Sequence, residues 1–134
     1  MNTPLLMVID DEMGVRESLK IVFVKDFRVL EADSIDAALP QVRAEKPQVV
    51  LLDVLLPKAN GIEILRQIKA IHADCEVILL TALNTRQLAA RAMDFGAFDL
   101  IGKPFDVAEL RDKVYKALAQ TLQRAQTPQQ RPDS

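Results

Sequence analysis

Acidic, hydroxyl and basic side chains follow several of the short apolar runs in this chain of 134 residues. In sequence order they are Asp10, Asp11, Glu12, Asp53, Thr81 and Lys103. Taken alone, an Asp after a strand is more often a helix cap, and a lone Lys is more often a solvated surface charge. Together these residues form a candidate site if the apolar runs are strands whose carboxyl ends meet at one edge of a sheet.

Transfer of a phosphoryl group to a carboxylate is the chemistry that this set of side chains favours. Carboxylates that are packed together repel one another unless a cation neutralises them, and ligands that are all oxygen suit Mg²⁺. A metal ion and a lysine ammonium would then spread the charge of the transferred group, while a hydroxyl donates to one of its oxygens. One Asp carboxylate would be the nucleophile.

Five short apolar runs alternate with segments whose apolar residues recur at helical spacing. The runs are Leu5 to Ile9, Phe27 to Leu30, Val49 to Leu52, Val77 to Leu80 and Phe98 to Ile101. Most of them lack alternation of apolar and polar residues, which is typical of strands buried on both faces of a parallel sheet. We therefore predict an α/β fold of (βα)5 type with a doubly wound, five-stranded parallel sheet.

Residue types at the predicted borders support this order of elements. Asp33 is predicted to cap the second helix, Thr85 the fourth and Asp106 the fifth. Toward the C-terminus the chain becomes rich in Gln and poor in apolar residues, which is typical of a linker or disordered tail. We place one domain at 1–120 and a linker or disordered tail at 121–134.

Composition narrows the classes of function. The formal net charge of −2 gives no electrostatic reason to expect direct binding of nucleic acid or of an anionic membrane. The apolar runs are far shorter than a membrane span, and the N-terminus is not typical of a signal peptide. Cys75 is the single cysteine, which favours a reducing compartment. We expect a cytoplasmic protein.

Four motifs in a fixed order resemble the receiver domain of the response regulators of two-component signal transduction. They are VIDDE, LLDVLLPKANG, LLTA and GAFDLIGKPFD. The resemblance covers nearly the whole chain apart from the tail, and the last motif is similar to regulators of the nitrogen-regulation type. It implies a flavodoxin-like receiver fold and a switch that is controlled by phosphorylation.

The resemblance implies a role for each side chain that handles the phosphoryl group. Asp53 is the phosphoacceptor, Thr81 senses the phosphoryl group and Lys103 pairs with it. The peptide bond between Lys103 and Pro104 is expected to be cis. Leu100 stands where the family usually has Tyr or Phe, so the switch is expected to work through Thr81 and backbone shifts or to couple weakly.

The resemblance also implies a Mg²⁺ site. Asp11 and Asp53 are ligands, Asp10 contributes largely through water, and the backbone carbonyl of Leu55 is a further ligand. Glu12 is more typical of a charge in the first turn of a helix than of a ligand. Leu83, like Leu55, lies two positions beyond a site residue and is expected to border the phosphoryl group.

The function that these residues favour is a signalling switch and not a metabolic enzyme. The resemblance implies that the chain takes a phosphoryl group from a sensor histidine kinase and then changes its partner or forms a homodimer, through the face of the fourth helix, fifth strand and fifth helix. We expect the chain to be the receiver part of a transcriptional regulator.

The alternatives are a stand-alone receiver that acts by protein contacts and a phosphohydrolase of the haloacid dehalogenase type. The hydrolase needs a second Asp where Leu55 stands.

Overall fold

The computed structural model describes residues 3–54, 60–82 and 85–126, with only the backbone for 125 and 126, and in these residues it has five strands and five helices. The strands are β1 (Leu5–Ile9), β2 (Arg28–Ala32), β3 (Val49–Asp53), β4 (Glu76–Thr81) and β5 (Asp99–Gly102). The helices are α1 (Met13–Phe23), α2 (Ile35–Glu45), α3 (Gly61–Ile71), α4 (Arg86–Asp94) and α5 (Val107–Gln126). All strand pairs are parallel, in the order β2-β1-β3-β4-β5. The predicted (βα)5 fold is confirmed.

Two apolar clusters cover the two faces of the sheet, and this explains the unbroken apolar runs. In β1, Leu6 and Val8 belong to the cluster that contains Leu19 of α1 and Val114 of α5. Met7 and Ile9 of the same strand belong to the second cluster, on the other face of the sheet, which α2, α3 and α4 cover. Since successive side chains of a strand point to opposite faces, a strand with helices on both sides must be apolar throughout.

The strand order places the candidate residues side by side. The order reverses between β1 and β3, which is where a doubly wound sheet forms its ligand site. Ile9 lies beside Leu52, so Asp10 and Asp53 follow as neighbours. On the other side Thr81 lies beside Gly102, which brings Lys103 to the same edge.

Two of the three predicted helix caps are confirmed. The side-chain oxygens of Thr85 and Asp106 accept hydrogen bonds from backbone N–H groups in the first turns of α4 and α5. The prediction for α2 was wrong, because Ser34 and not Asp33 is the cap. The Ser34 hydroxyl directly precedes the helix and accepts from the N–H of Ala37 at 3.2 Å, which is the usual geometry of an N-cap.

Helix α5 is longer than its polar C-terminal sequence predicts. It continues to Gln126, so residues 121–126, which were assigned to the linker or tail, are helical. The Arg124 guanidinium anchors the last turns, because it donates to the carbonyl of Asp74 at 3.0 Å and pairs with the buried carboxylate of Glu76. The domain boundary at residue 120 stays a prediction, and 127–134 lie outside the described residues.

Within the described ranges, no helix combines the length and the apolar character that crossing a membrane requires.

Candidate functional site at the carboxyl edge of the sheet

Three carboxylates converge where the carboxyl ends of β1 and β3 meet, in the part of the chain that the structure describes. Asp10, Asp11 and Asp53 each offer an oxygen, and these oxygens lie within 4.8 Å of one another. Asp10 and Asp53 are buried, with 1% and 5% of their surfaces exposed, whereas Asp11 is exposed. The cluster is therefore closed toward the sheet and open to solvent on the side of Asp11.

The Asp10 carboxylate has a donor for each of its oxygens. The backbone N–H of Glu12 donates to one of them at 2.9 Å, and the Nζ of Lys103 donates to the other at 3.1 Å. Glu12 itself is exposed, and its contact with the site is made by its backbone. Asp10 is thus fixed in place, whereas Asp11 is exposed to solvent.

Lys103 brings a positive charge from β5 between two carboxylates. Its Nζ lies 3.1 Å from an oxygen of Asp10 and 3.5 Å from an oxygen of Asp53. Burial by itself lowers the pKa of Lys103, but the hydrogen bond and charge of Asp10 and the charge of Asp53 outweigh burial, so the pKa lies above its ordinary value. The ammonium is therefore charged at any physiological pH.

Backbone contacts fix the two strand ends that flank Asp53 and Lys103. The N–H of Val54, directly after Asp53, donates to the carbonyl of Leu80 at 2.9 Å, and the N–H of Lys103 donates to the carbonyl of Thr81 at 2.7 Å. Thr81 ends β4 between these contacts and is completely buried. The Lys103–Pro104 peptide bond is cis, as the resemblance implied.

Three further positions were singled out from the sequence. Leu55, whose carbonyl was expected to bind metal, and Leu83 lie outside the described residues. Leu100 is half-buried and packs against the apolar cluster under α2, α3 and α4. Leu100 therefore packs on one face of the sheet, at the position where the resemblance implied Tyr or Phe for most of the family.

Gly61 was missed by sequence reasoning, yet it sets how closely α3 approaches the strand end that carries Asp53. A Cβ at Gly61 would lie 2.6 Å from the Cα and 2.9 Å from the carbonyl oxygen of Val54. Because both contacts are with backbone, a side chain there cannot be accommodated by a change of rotamer. In the sequence Gly61 stood out only as the last residue of the LLDVLLPKANG motif, directly after the Asn that caps α3.

We expect Gly61→Ala to destabilise the domain by about 1 to 3 kcal/mol, since the added methyl group would push α3 away from Val54. Urea unfolding followed by circular dichroism would measure the loss. Gly14→Ala is the matched control, because nothing lies within 4 Å of a Cβ at Gly14 in α1. That control should be neutral or more stable, by up to about 1 kcal/mol. An equal loss in both variants would contradict the close approach.

The donor set fits a hard divalent cation. All three groups are carboxylates, two are held in place by the fold, and the third faces solvent. Oxygen ligands with retained waters are what Mg²⁺ prefers, and Lys103 already offsets part of the negative charge. The same edge thus brings together a buried carboxylate, a cluster that could hold a cation and an ammonium, which are groups that phosphoryl transfer can use.

Comparison with known proteins assigns this arrangement to a family. The sequence model of the response regulator receiver domain matches residues 6–115. The chain belongs to the response regulator receiver family. Receiver domains are signalling modules of two-component systems, controlled by phosphorylation and paired with sensor histidine kinases. The fold and the family that the four motifs indicated are therefore confirmed.

Individual receivers are similar over most of the chain. Sporulation initiation phosphotransferase F of Bacillus subtilis is 37% identical over 114 residues, which cover 84% of this chain and 92% of that protein. The BeF3-activated DrrB receiver domain is 30% identical, with a TM-score of 0.81 and coverage of 88% and 99%. The beryllofluoride-activated NtrC4 receiver domain dimer has a TM-score of 0.82 at 24% identity, covering 87% and 98%.

Many relatives are longer than this chain. The chain spans 50% to 54% of the length of seven further curated relatives that are 31% or 32% identical to it. Their names include a transcriptional regulator of Pseudomonas aeruginosa and the KDP operon transcriptional regulatory protein of Escherichia coli.

Proposed function

We propose that this receiver accepts a phosphoryl group on Asp53 from the phosphohistidine of a sensor histidine kinase, with Mg²⁺ bound beside it. The observation that carries the proposal is the placement of Lys103, whose ammonium lies within 3.5 Å of both Asp10 and Asp53 at the rim of the acidic cluster. A permanently charged donor at this place would meet the oxygens of a group that arrives on Asp53.

Each residue of the cluster has a task in this proposal. Asp10, Asp11 and Asp53, with the carbonyl of Leu55, would hold Mg²⁺, and Asp10 would act largely through water. The two charges of Mg²⁺ and the single charge of Lys103 would balance the three carboxylates. When bound, the metal would supply positive charge next to the oxygens of the phosphoryl group.

The transfer itself is an exchange of bonds to phosphorus. An Asp53 oxygen forms a bond to phosphorus while the bond from phosphorus to the histidine nitrogen breaks, and the nitrogen keeps the electron pair. The Thr81 hydroxyl would donate to one oxygen of the transferred group, and Lys103 would move its hydrogen bond to another. The chain would thus promote its own phosphorylation without turning over a separate substrate.

The consequence of phosphorylation would be a change in partner or in self-association. We propose the face formed by α4, β5 and α5 as the surface that changes, with a homodimer as one outcome. The longer relatives named as transcriptional regulators favour a role as the receiver part of such a protein. The similarity over 92% of the Bacillus phosphotransferase favours the alternative, a stand-alone receiver that acts by protein contacts. Neither role requires this domain to bind nucleic acid.

Intact-mass spectrometry after incubation with acetyl phosphate would test the proposal. We expect one phosphoryl group per chain with Mg²⁺ present and none with excess EDTA. Adding Mg²⁺ back to the chelated sample should restore the adduct. Equal labelling with and without the metal, or no labelling by acetyl phosphate or a kinase under either condition, would contradict it.

Mg²⁺ alone is expected to stabilise the domain, because it binds the folded cluster and relieves repulsion between carboxylates. At a hundredfold excess over its Kd, the melting temperature should rise by roughly 5 to 10 °C. Asp11→Ala should lose most of this rise while leaving a folded protein, since Asp11 is exposed. Asp33→Ala is the matched control, because Asp33 is also exposed and also follows a strand at this edge, β2. A full rise in Asp11→Ala would contradict the metal site.

A further inference from the structure

Arg16 reaches from α1 to the backbone of the acidic cluster. One nitrogen of its guanidinium donates to the carbonyl of Asp10 at 2.7 Å. Another lies 3.3 Å from the Glu31 carboxylate of β2, which also pairs with Lys20 at 3.1 Å. The Arg16 side chain is 15% exposed and that of Glu31 is 28% exposed, so this pair is better shielded from water than a surface ion pair.

The carbonyl that Arg16 binds belongs to the peptide unit that joins Asp10 to Asp11. The other polar groups of Asp10 are already fixed, since its N–H donates to Ala32 and its carboxylate accepts from Glu12 and Lys103. Asp11 is different, because its carboxylate faces solvent and its position depends on the backbone that carries it. Holding this peptide plane therefore sets the direction in which the Asp11 carboxylate leaves the backbone.

We propose that Arg16, held by Glu31, is a positioning residue that orients the peptide between Asp10 and Asp11 for binding of the divalent cation. The inference rests on the proposed metal site and adds a residue to it that touches neither the metal nor the phosphoryl group. Arg suits this task because its rigid fork can donate to a carbonyl and a carboxylate at once, which a Lys ammonium does with less geometric control.

The direction in which the Mg²⁺ affinity changes when Arg16 is removed distinguishes a positioning role from a purely electrostatic one. Arg16 is a cation beside an acidic cluster, so by Coulomb's law alone its removal would strengthen Mg²⁺ binding. If Arg16 orients the ligands, its removal weakens binding instead. Partners that orient metal ligands typically contribute 10-fold to 100-fold in affinity. The two explanations therefore predict opposite changes in Kd.

Isothermal titration of the whole chain with MgCl₂ would test this, with Arg16→Met and Lys20→Met as a matched pair. Both variants lose one positive charge and one bond to Glu31, but only Arg16 also contacts Asp10. Met preserves most of the apolar stem in both. We expect the Kd for Mg²⁺ to rise about tenfold in Arg16→Met and to stay within about twofold of wild type in Lys20→Met.

Phosphorylation rates give a second readout that a loss of folding would not mimic. With acetyl phosphate, Arg16→Met should label slowly at low Mg²⁺ and approach the wild-type rate at saturating Mg²⁺. An unchanged or lower Kd in Arg16→Met would overturn the inference, as would a tenfold rise in both variants. Failure of the wild-type chain itself to bind Mg²⁺ would overturn the proposed function along with it.

Discussion

Asp53→Asn is expected to take up no phosphoryl group from acetyl phosphate or from a histidine kinase, in conditions that label the wild-type chain fully. The amide has nearly the shape of the carboxylate but lacks the charge and the nucleophilic oxygen that attack requires. Because Asp53 is buried in an acidic cluster, the substitution also removes repulsion, and folding should be retained. Intact-mass analysis would measure the loss, which should be complete.

Asp33→Asn provides the matched control for this experiment. Asp33 directly follows β2 at the same edge of the sheet, but it is exposed and outside the acidic cluster. The Asp33→Asn variant should take up the phosphoryl group to the same extent as the wild-type chain. A stoichiometric adduct on Asp53→Asn, located by peptide mapping at any other carboxylate, would show that the nucleophile had been assigned to the wrong residue.

Arg124→Met should lower the free energy of unfolding by about 2 kcal/mol. The Glu76 side chain is only 6% exposed, and removal of its cation would leave a charge with little access to water. The Arg124 side chain is 39% exposed, which reduces the effect below the 3 to 5 kcal/mol typical of fully buried pairs. Urea unfolding, analysed for a change of midpoint at constant slope, is the measurement.

Arg28→Met is the control, because Arg28 forms an exposed ion pair with Glu45 at 3.4 Å, with side chains 59% and 39% exposed. Its effect should stay within about 0.5 kcal/mol. Adding Glu76→Gln to Arg124→Met should restore part of the lost stability, since a neutral amide is easier to bury than an unpaired carboxylate. Equal losses from Arg28→Met and Arg124→Met would mean that the contact at the end of α5 contributes no more than a surface pair.

The edge of the sheet where the site lies could be predicted because it depends on topology. Once the apolar runs are assigned to parallel strands, Asp10 and Asp53 must lie at the same edge of the sheet, and the observed pairing of β1 with β3 makes them neighbours. Both faces of β1 and β3 are apolar, which also predicts a parallel sheet with helices on both sides, since only strands covered on both sides can be apolar throughout.

Contacts made by long side chains could not be predicted in this way. Arg16 and Arg124 resemble ordinary surface residues in the sequence, and what distinguishes them is the distance their guanidinium groups span to reach Asp10 and Glu76. The end of α5 was misjudged for the same reason, because composition describes local preference and not a tertiary anchor. The requirement for Gly at position 61 comes from the close approach of the α3 backbone to Val54, which the spacing of residues in the sequence does not predict.

Helix α5 also determines where a following segment leaves the domain. The helix begins shortly after Lys103, at the edge with the acidic cluster, and its last turns contact Glu76, which begins β4 at the opposite edge. Its 20 residues span about 30 Å. A module attached directly to the end of α5 would therefore begin at the edge of the sheet opposite Asp53. With a short connection, such a module would sense the phosphoryl group through changes in the domain and not by contact with Asp53.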